Sequence, residues 1–208
     1  MFDIDGTLVQ SDAFDTHCFA GAIEEVLGLS VDSDWSKYEH VTDAGILDEI
    51  VNTNALAAEK SEIERKVKTT FICKIEEHLK QEPAQEVPGA LSFLSRLALM
   101  DDFIVSIATG GWYETAMLKL SSAGFDVSGI AMATANDHVS RMEIMKIAAA
   151  KAIGNGSGRI NYFGNGVWDK VACAELNYNF VLVGNSIQHN QKIRDFRQTS
   201  KAMFYIGL

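Results

Sequence analysis

Two carboxylates, Asp3 and Asp5, stand two residues apart in the run Asp3-Ile4-Asp5-Gly6-Thr7. On an extended backbone this spacing turns both side chains to one face. Two acids held that close repel each other unless a cation joins them or one keeps a proton. Either outcome is chemically useful. A magnesium ion takes hard oxygen ligands and keeps waters and a phosphate oxygen in its shell. A carboxylate beside it can attack phosphorus, dividing one hard displacement into two easier ones. The second carboxylate can protonate the leaving alkoxide and later deprotonate the attacking water. The competing reading of the pair alone is an acidic turn exposed to solvent.

Later segments carry complementary groups. Thr109-Gly110-Gly111 closes an apolar run and opens a helical one. That gathers a hydroxyl and unhindered N–H groups at a helix start, where anions bind. Arg141 begins another helical stretch, and a guanidinium can grip phosphate bidentately. Lys146 lies more than a turn further along the same stretch. Asn165 and Asp169, in Gly164-Asn165-Gly166-Val167-Trp168-Asp169, offer further oxygen ligands from a Gly-flanked turn.

The elements between these segments must bring them together. Short runs rich in Val, Ile and Phe at 103–108, 129–133, 160–163, 180–183 and 202–206 alternate with helical patterns near 88–99, 112–123, 141–153 and 167–176. Such alternation predicts an α/β fold with a doubly wound parallel sheet covered on both faces. Residues 1–4 would add a further strand. Either a few residues precede Met1 in the natural chain or that first strand is very short. In open α/β sheets ligands bind at the carboxyl ends of strands where the order switches, which is where every segment named above falls. The Gly-rich GNGSG at 154–158 follows a helix and reads as a stop and a turn.

Residues 11–82 are different in kind. Phe14, Cys18, Phe19, Ile23, Val26 and Leu27 recur at helical spacing, as do Ile46, Leu47, Ile50 and Val51, then Ile63, Val67, Phe71, Ile75 and Leu79. No strand-like run interrupts them, and Pro83 and Pro88 mark the exit. The reading is a core domain of residues 1–10 and 83–208 with an inserted all-helical domain over 11–82. Asp43 is placed as an N-cap, and Trp35, Tyr38 and Thr42 lie between the inserted helices.

Composition narrows the class. With 47% hydrophobic and only 22% charged residues, wholesale disorder is excluded. Eighteen basic against 28 acidic residues give a net charge of −10. This argues against nucleic acid or an anionic membrane surface as partner. No apolar run reaches the roughly 18 residues that span a bilayer. The cysteines form no CxxC and read as buried thiols in a reducing, cytoplasmic setting. The histidines show no zinc-binding spacing.

The whole order resembles the haloacid dehalogenase superfamily: Asp3-Ile4-Asp5-Gly6-Thr7, a helical insert, a strand ending in Thr109, a basic residue, then GNGVWD. The insert is similar to the small helical cap of its phosphoglycolate phosphatase-like and β-phosphoglucomutase-like members. The resemblance implies a Rossmann-like core and Asp3 as nucleophile. It implies Asp5 as acid/base, Thr109 as binder of the transferring phosphoryl group, and Arg141 or Lys146 as the basic residue, Arg141 being favoured because it starts the helix nearest the rim. Magnesium would be held by Asp3, the Asp5 carbonyl, Asn165 and Asp169. Gly6, Thr7, Gly110, Gly111 and the cap residue Thr42 are the candidates for substrate contact. The implied activity is magnesium-dependent hydrolysis of a small phosphorylated metabolite through an aspartyl-phosphate, by a monomer or homodimer. Asn165 stands where the superfamily commonly has aspartate, so a degenerate, non-catalytic binder of a phosphorylated ligand or protein is the alternative. A phosphomutase would use the same site, and Asp5 disfavours a haloacid dehalogenase.

Overall fold

The computed structural model describes residues 1–154 and 156–208. Its sheet is organised around the first residues of the chain. Phe2 N–H donates to Ser106 O and its carbonyl accepts from Ala108 N, both at 2.9 Å. On the other side Asp3 N–H donates to Phe163 O (2.9 Å) and Met1 O accepts from Phe163 N (3.0 Å). Residues 1–3 therefore link two groups of parallel strands. One group is β1 (Ser106–Ala108) and β2 (Ala131–Ala133); the other is β3 (Asn161–Gly164), β4 (Asn179–Val183) and β5 (Lys192–Ile193). All pairings are parallel. From residues 1–3 the order runs outward to β1 and β2 on one side and to β3, β4 and β5 on the other. Asp3 thus stands at the topological switch point, the place where such sheets bind ligands.

Alternation along the strands feeds two apolar layers. Phe2, Ile107, Phe163, Val181 and Val183 pack with Phe93, Leu97, Leu120 and Met203. Those partners come from α4 (Ala90–Ala98), α5 (Tyr113–Ser122) and α8 (Thr199–Ile206). On the opposite face Met1, Ala108, Tyr162, Phe180 and Leu182 meet Ile144, Met145, Ala148, Ala172 and Cys173, which belong to α6 (Arg141–Ile153) and α7 (Val167–Leu176). The rings of Phe2 and Phe163 stack with centroids 4.9 Å apart at the centre. Each fully buried side chain of this size contributes roughly 1.5–3 kcal/mol.

The inserted block forms α1 (Asp12–Leu27), α2 (Asp43–Thr53) and α3 (Lys60–Gln81). Cys18, Phe19, Ile23, Ile46, Ile50, Val67, Phe71 and Ile75 build a separate apolar cluster there, joined by Trp112 and Ala135 from the strand-bearing unit. Trp112 is buried between Phe19 (5.8 Å) and Phe71 (6.2 Å), so it seals the two units rather than meeting solvent. Thr42, not Asp43, caps α2, its Oγ1 accepting from Gly45 N at 3.0 Å.

Two further expectations are corrected. Residues 202–206 are part of helix α8, not a strand. Ala202, Met203 and Ile206 are buried while Phe204 is 72% exposed, which is a helical period, and Gly207 ends the helix with φ 99°. The last strand is instead β5, two residues long and too short to leave a periodic signal. Cys18 and Cys173 are buried thiols, but Cys73 is exposed. Gly154 stops α6 as the GNGSG run suggests; Asn155 lies outside the described residues. Among the described residues no helix is long and apolar enough to cross a membrane.

Candidate active site

A cleft of about 200 Å³ opens at the carboxyl ends of the strands, beneath the inserted helices. Asp3, Asp5, Thr109, Gly110, Gly111, Arg141 and Asn165 line its floor, while Phe19, Trp35, Thr42, Asp43 and Ile46 come from above. The two acids of the first motif share this cleft, yet each turns to its own cation. Asp3, 3% exposed, has the Arg141 guanidinium 3.6 Å away. Burial pushes the Asp3 carboxyl well above its usual range, with Asp169 and Asp5 adding to the effect and Arg141 opposing it. Asp5 Oδ1 accepts instead from Lys119 Nζ (2.6 Å) and Ser11 Oγ (2.5 Å).

Lys119 is the group that reading the sequence missed. It has no exposed side-chain surface, and its ammonium also donates to Asp15 Oδ1 at 2.5 Å. Burial works against its charge, but Asp15 and Asp5 outweigh that and hold the ammonium above the ordinary lysine value. Burial, then the charge of Asp5, pushes Asp15 up to about 7 against the pull of Lys119. The available signal was the placement of Lys119 with Thr115, Ala116 and Leu120 on the buried face of α5.

Arg141 starts α6, and its guanidinium lies between Asp3 and Asp169, 2.9 Å from Asp169 Oδ1. It also donates to Val41 O (3.1 Å), while its buried Nε–H has no acceptor among the described residues. Lys146 is not brought to the cleft: it is half exposed and pairs with Glu143 at 2.7 Å. One turn and more along α6 carries it past the rim.

Asp169, expected as a metal ligand, does not line the cleft. It is fully buried, and Arg141, the Tyr162 hydroxyl (3.3 Å) and the Gly166 N–H (3.0 Å) already occupy its oxygens. It anchors Arg141 and the start of α7. Asn165 does reach the cleft. Its Nδ2 donates to Asp12 Oδ1 at 3.0 Å, and its carbonyl accepts from Ser186 Oγ.

The segment 41–43 closes the cleft through polar contacts. Asp43 N donates to Gly110 O (2.8 Å), Asp43 Oδ2 accepts from Trp112 N (2.8 Å), and Thr42 Oγ1 donates to Val139 O (2.7 Å). Of the N–H groups expected to stay open at the start of α5, Gly111 N meets Thr109 Oγ1 (3.3 Å), while Gly110 N meets no acceptor among the described residues; further in, Tyr113 N meets Asn136 Oδ1 (3.0 Å). Thr42, capping α2 and bonded to Val139, has its hydroxyl committed as well. Gly110 is required by close approach, since a Cβ there would sit 2.8 Å from Val41 O. Gly6, with φ 69°, makes the turn after Asp5; a Cβ there would collide with Asn165 and Asp12. Thr7 is fully buried behind that turn and is not part of the cleft wall.

The family model of the haloacid dehalogenase-like hydrolases matches residues 1–177. The chain belongs to that family. No curated protein matches it, but solved structures share the fold of this hydrolase. A hydrolase from Pseudomonas syringae superposes with TM-score 0.71 at 19% identity, covering 90% of this chain and 85% of that one. β-Phosphoglucomutase from Clostridium difficile gives 0.70 at 17%, covering 99% and 96%. A predicted phosphoglycolate phosphatase from Haemophilus somnus gives 0.63 at 16%, covering 97% and 96%.

Among the described residues no group of three His, Cys, Asp or Glu side chains is arranged to hold a metal ion. Oxygen donors nonetheless crowd the cleft: Asp3, Asp12 and Asn165 line it beside Asp5 and Asp15, which are paired with Lys119, and Asp43, which is paired with Trp112 N. With Nδ2 turned to Asp12, the Asn165 amide oxygen accepts no hydrogen bond among the described residues. Oxygen donors suit magnesium, and the residues present fit such an ion.

Proposed function

We propose that this hydrolase is a phosphatase that cleaves a small phosphorylated metabolite through an aspartyl-phosphate on Asp3, with magnesium as its cation. The observation that carries the reading is the meeting of Asp3, Asp5, Thr109 and Arg141 in one cleft at the switch point of the sheet. In this reading an Asp3 oxygen attacks phosphorus as the P–O bond to the leaving group breaks. Asp5 gives the departing alkoxide its proton. Asp5 then takes a proton from water as water attacks the phosphoenzyme, and phosphate leaves with Asp3 restored. The Thr109 hydroxyl and the Arg141 guanidinium, both in the cleft lining, bind phosphoryl oxygens. Magnesium, held by Asp3, the Asp5 carbonyl and Asn165, supplies charge neutralisation for the transferring group.

The division into residues 1–10 with 83–208 and a cap of 11–82 belongs to the same reading. The cap excludes water and chooses the leaving group. Phe19, Trp35 and Ile46 offer that group an apolar wall. A phosphomutase would use the same groups with water kept out of the second step. The setting is cytoplasmic, with neither nucleic acid nor membrane as partner, and the protein a monomer or homodimer. A second reading, a binder without turnover, is favoured by one observation: Asn165 is neutral and its amide nitrogen already pairs with Asp12. Turnover of p-nitrophenyl phosphate with magnesium and with EDTA separates the two, followed by a panel of phosphorylated metabolites. Magnesium-dependent release of phosphate supports the phosphatase. Ligand-induced stabilisation without turnover of any ester overturns it.

A further inference from the structure

We propose that Lys119 is a positioning residue for Asp5: it clamps one carboxylate oxygen so that the other faces the leaving oxygen of the substrate. The inference rests on the phosphatase reading and adds a residue to it. An ammonium with no exposed surface must find acceptors. Lys119 finds Asp5 Oδ1 at 2.6 Å and Asp15 Oδ1 at 2.5 Å. Ser11 Oγ donates to the same Asp5 oxygen at 2.5 Å. Both donors thus converge on Oδ1, and no hydrogen bond among the described residues reaches Oδ2.

The free oxygen points where the chemistry is. A Cβ placed on Gly111 would stand 3.8 Å from each of Asp5 Oδ2, Thr109 Oγ1 and Asp43 Oδ2, the last already accepting from Trp112 N. Asp5 Oδ2 and the hydroxyl assigned to the phosphoryl group therefore border one spot on the cleft wall. The terminal torsion of an aspartate is broad, so an unclamped carboxylate would swing and exchange its oxygens. Proton transfer in a bound complex tolerates little such freedom, because a misplacement of about 1 Å can cost on the order of 10²-fold. Asp15, on α1, holds the far side of the ammonium, so the clamp is itself anchored. Lys119 lines no part of the cleft and touches no substrate.

The test exploits the fact that proton donation matters more for a basic leaving group. Wild type, Lys119→Met and Lys119→Arg are compared on phenyl phosphate and p-nitrophenyl phosphate in magnesium. The readout is kcat/KM, which reports the steps up to the phosphoenzyme. Phenolate leaves poorly without a proton, whereas p-nitrophenolate hardly needs one. Lys119→Met should lose at least about tenfold more kcat/KM on phenyl phosphate than on p-nitrophenyl phosphate, part of the roughly 10²–10⁴ that general acid catalysis supplies. The loss should lie in kcat with KM little changed, and Lys119→Arg should recover part of it. Removing Lys119 leaves buried acids unpaired, so Lys119→Met/Asp15→Asn repeats the comparison without that burden. Equal loss on both esters, or none, in whichever of these variants keeps the wild-type circular dichroism spectrum overturns the positioning role. A wild type inert toward both esters overturns the phosphatase reading itself, which is a distinct result.

Discussion

Exchanging Asn165 for aspartate puts a carboxylate where an amide now donates to Asp12 Oδ1 at 3.0 Å. Two unit charges at that distance repel by about 1.4 kcal/mol in water-like surroundings and by about 5.5 kcal/mol at an effective dielectric of about 20. The pair sits at an open cleft mouth, so the lower end applies. The lost hydrogen bond adds about 1 kcal/mol. Burial, then the charge of Asp5, already pushes the Asp12 carboxyl up, so the position has no spare tolerance for another anion. In EDTA, Asn165→Asp should therefore lose about 2–3 kcal/mol, or about 4–12 °C in Tm for a chain of this size. A divalent cation reverses the sign, because the added charge becomes a ligand. Magnesium at tenfold excess over its Kd returns about 1.4 kcal/mol. The assay is thermal unfolding of both proteins across a magnesium titration, with p-nitrophenyl phosphate turnover alongside. The variant should start lower, rise further with magnesium, and reach half-maximal turnover at less magnesium. Equal Tm in EDTA, or equal magnesium-induced rises, would refute the placement of Asn165 at a cation site.

Asp3→Asn should abolish turnover because an amide cannot accept the phosphoryl group, while Asp5→Asn should slow it by about 10²–10⁴-fold; steady-state kinetics on p-nitrophenyl phosphate check both. Lys146→Ala should leave kcat and KM unchanged, since its partner is the surface residue Glu143, whereas Arg141→Met should destabilise by about 3–5 kcal/mol by leaving Asp169 buried and unpaired, read as a denaturant midpoint. Asp15 titrates near 7 when folded and near 4 when unfolded, so between those pH values the folded protein binds the extra proton. Stability should then fall as pH rises across that window, by up to about 1.4 kcal/mol per unit, and the fall should flatten in Asp15→Asn; a pH series of urea midpoints that matches for the two proteins would overturn it.

Sequence by itself carried whatever depends on near neighbours. The acidic pair, the glycines after Asp5 and Thr109, and the helical periods of 11–82 are written over a few residues, and strand–helix alternation implied the parallel sheet. The placement of Arg141 at the rim and Lys146 away from it was readable because the first residue of a helix lies at the rim and one more than a turn later does not. Periodicity failed where segments are short or doubly interpretable. Residues 202–206 suit strand or helix by composition, and only packing against β4 and β5 puts Phe204 outside and Met203 inside. The choice of partner for each charge was decided by tertiary structure alone. Lys119 meets Asp5 across 114 positions of sequence, and Asn165 meets Asp12 across 153. Asp169, spaced like a ligand, is spent on Arg141, Tyr162 and the start of α7. Charge pairing acts through space over a few ångströms, and the spacing of residues along a chain holds no record of which distant group burial will bring within that range.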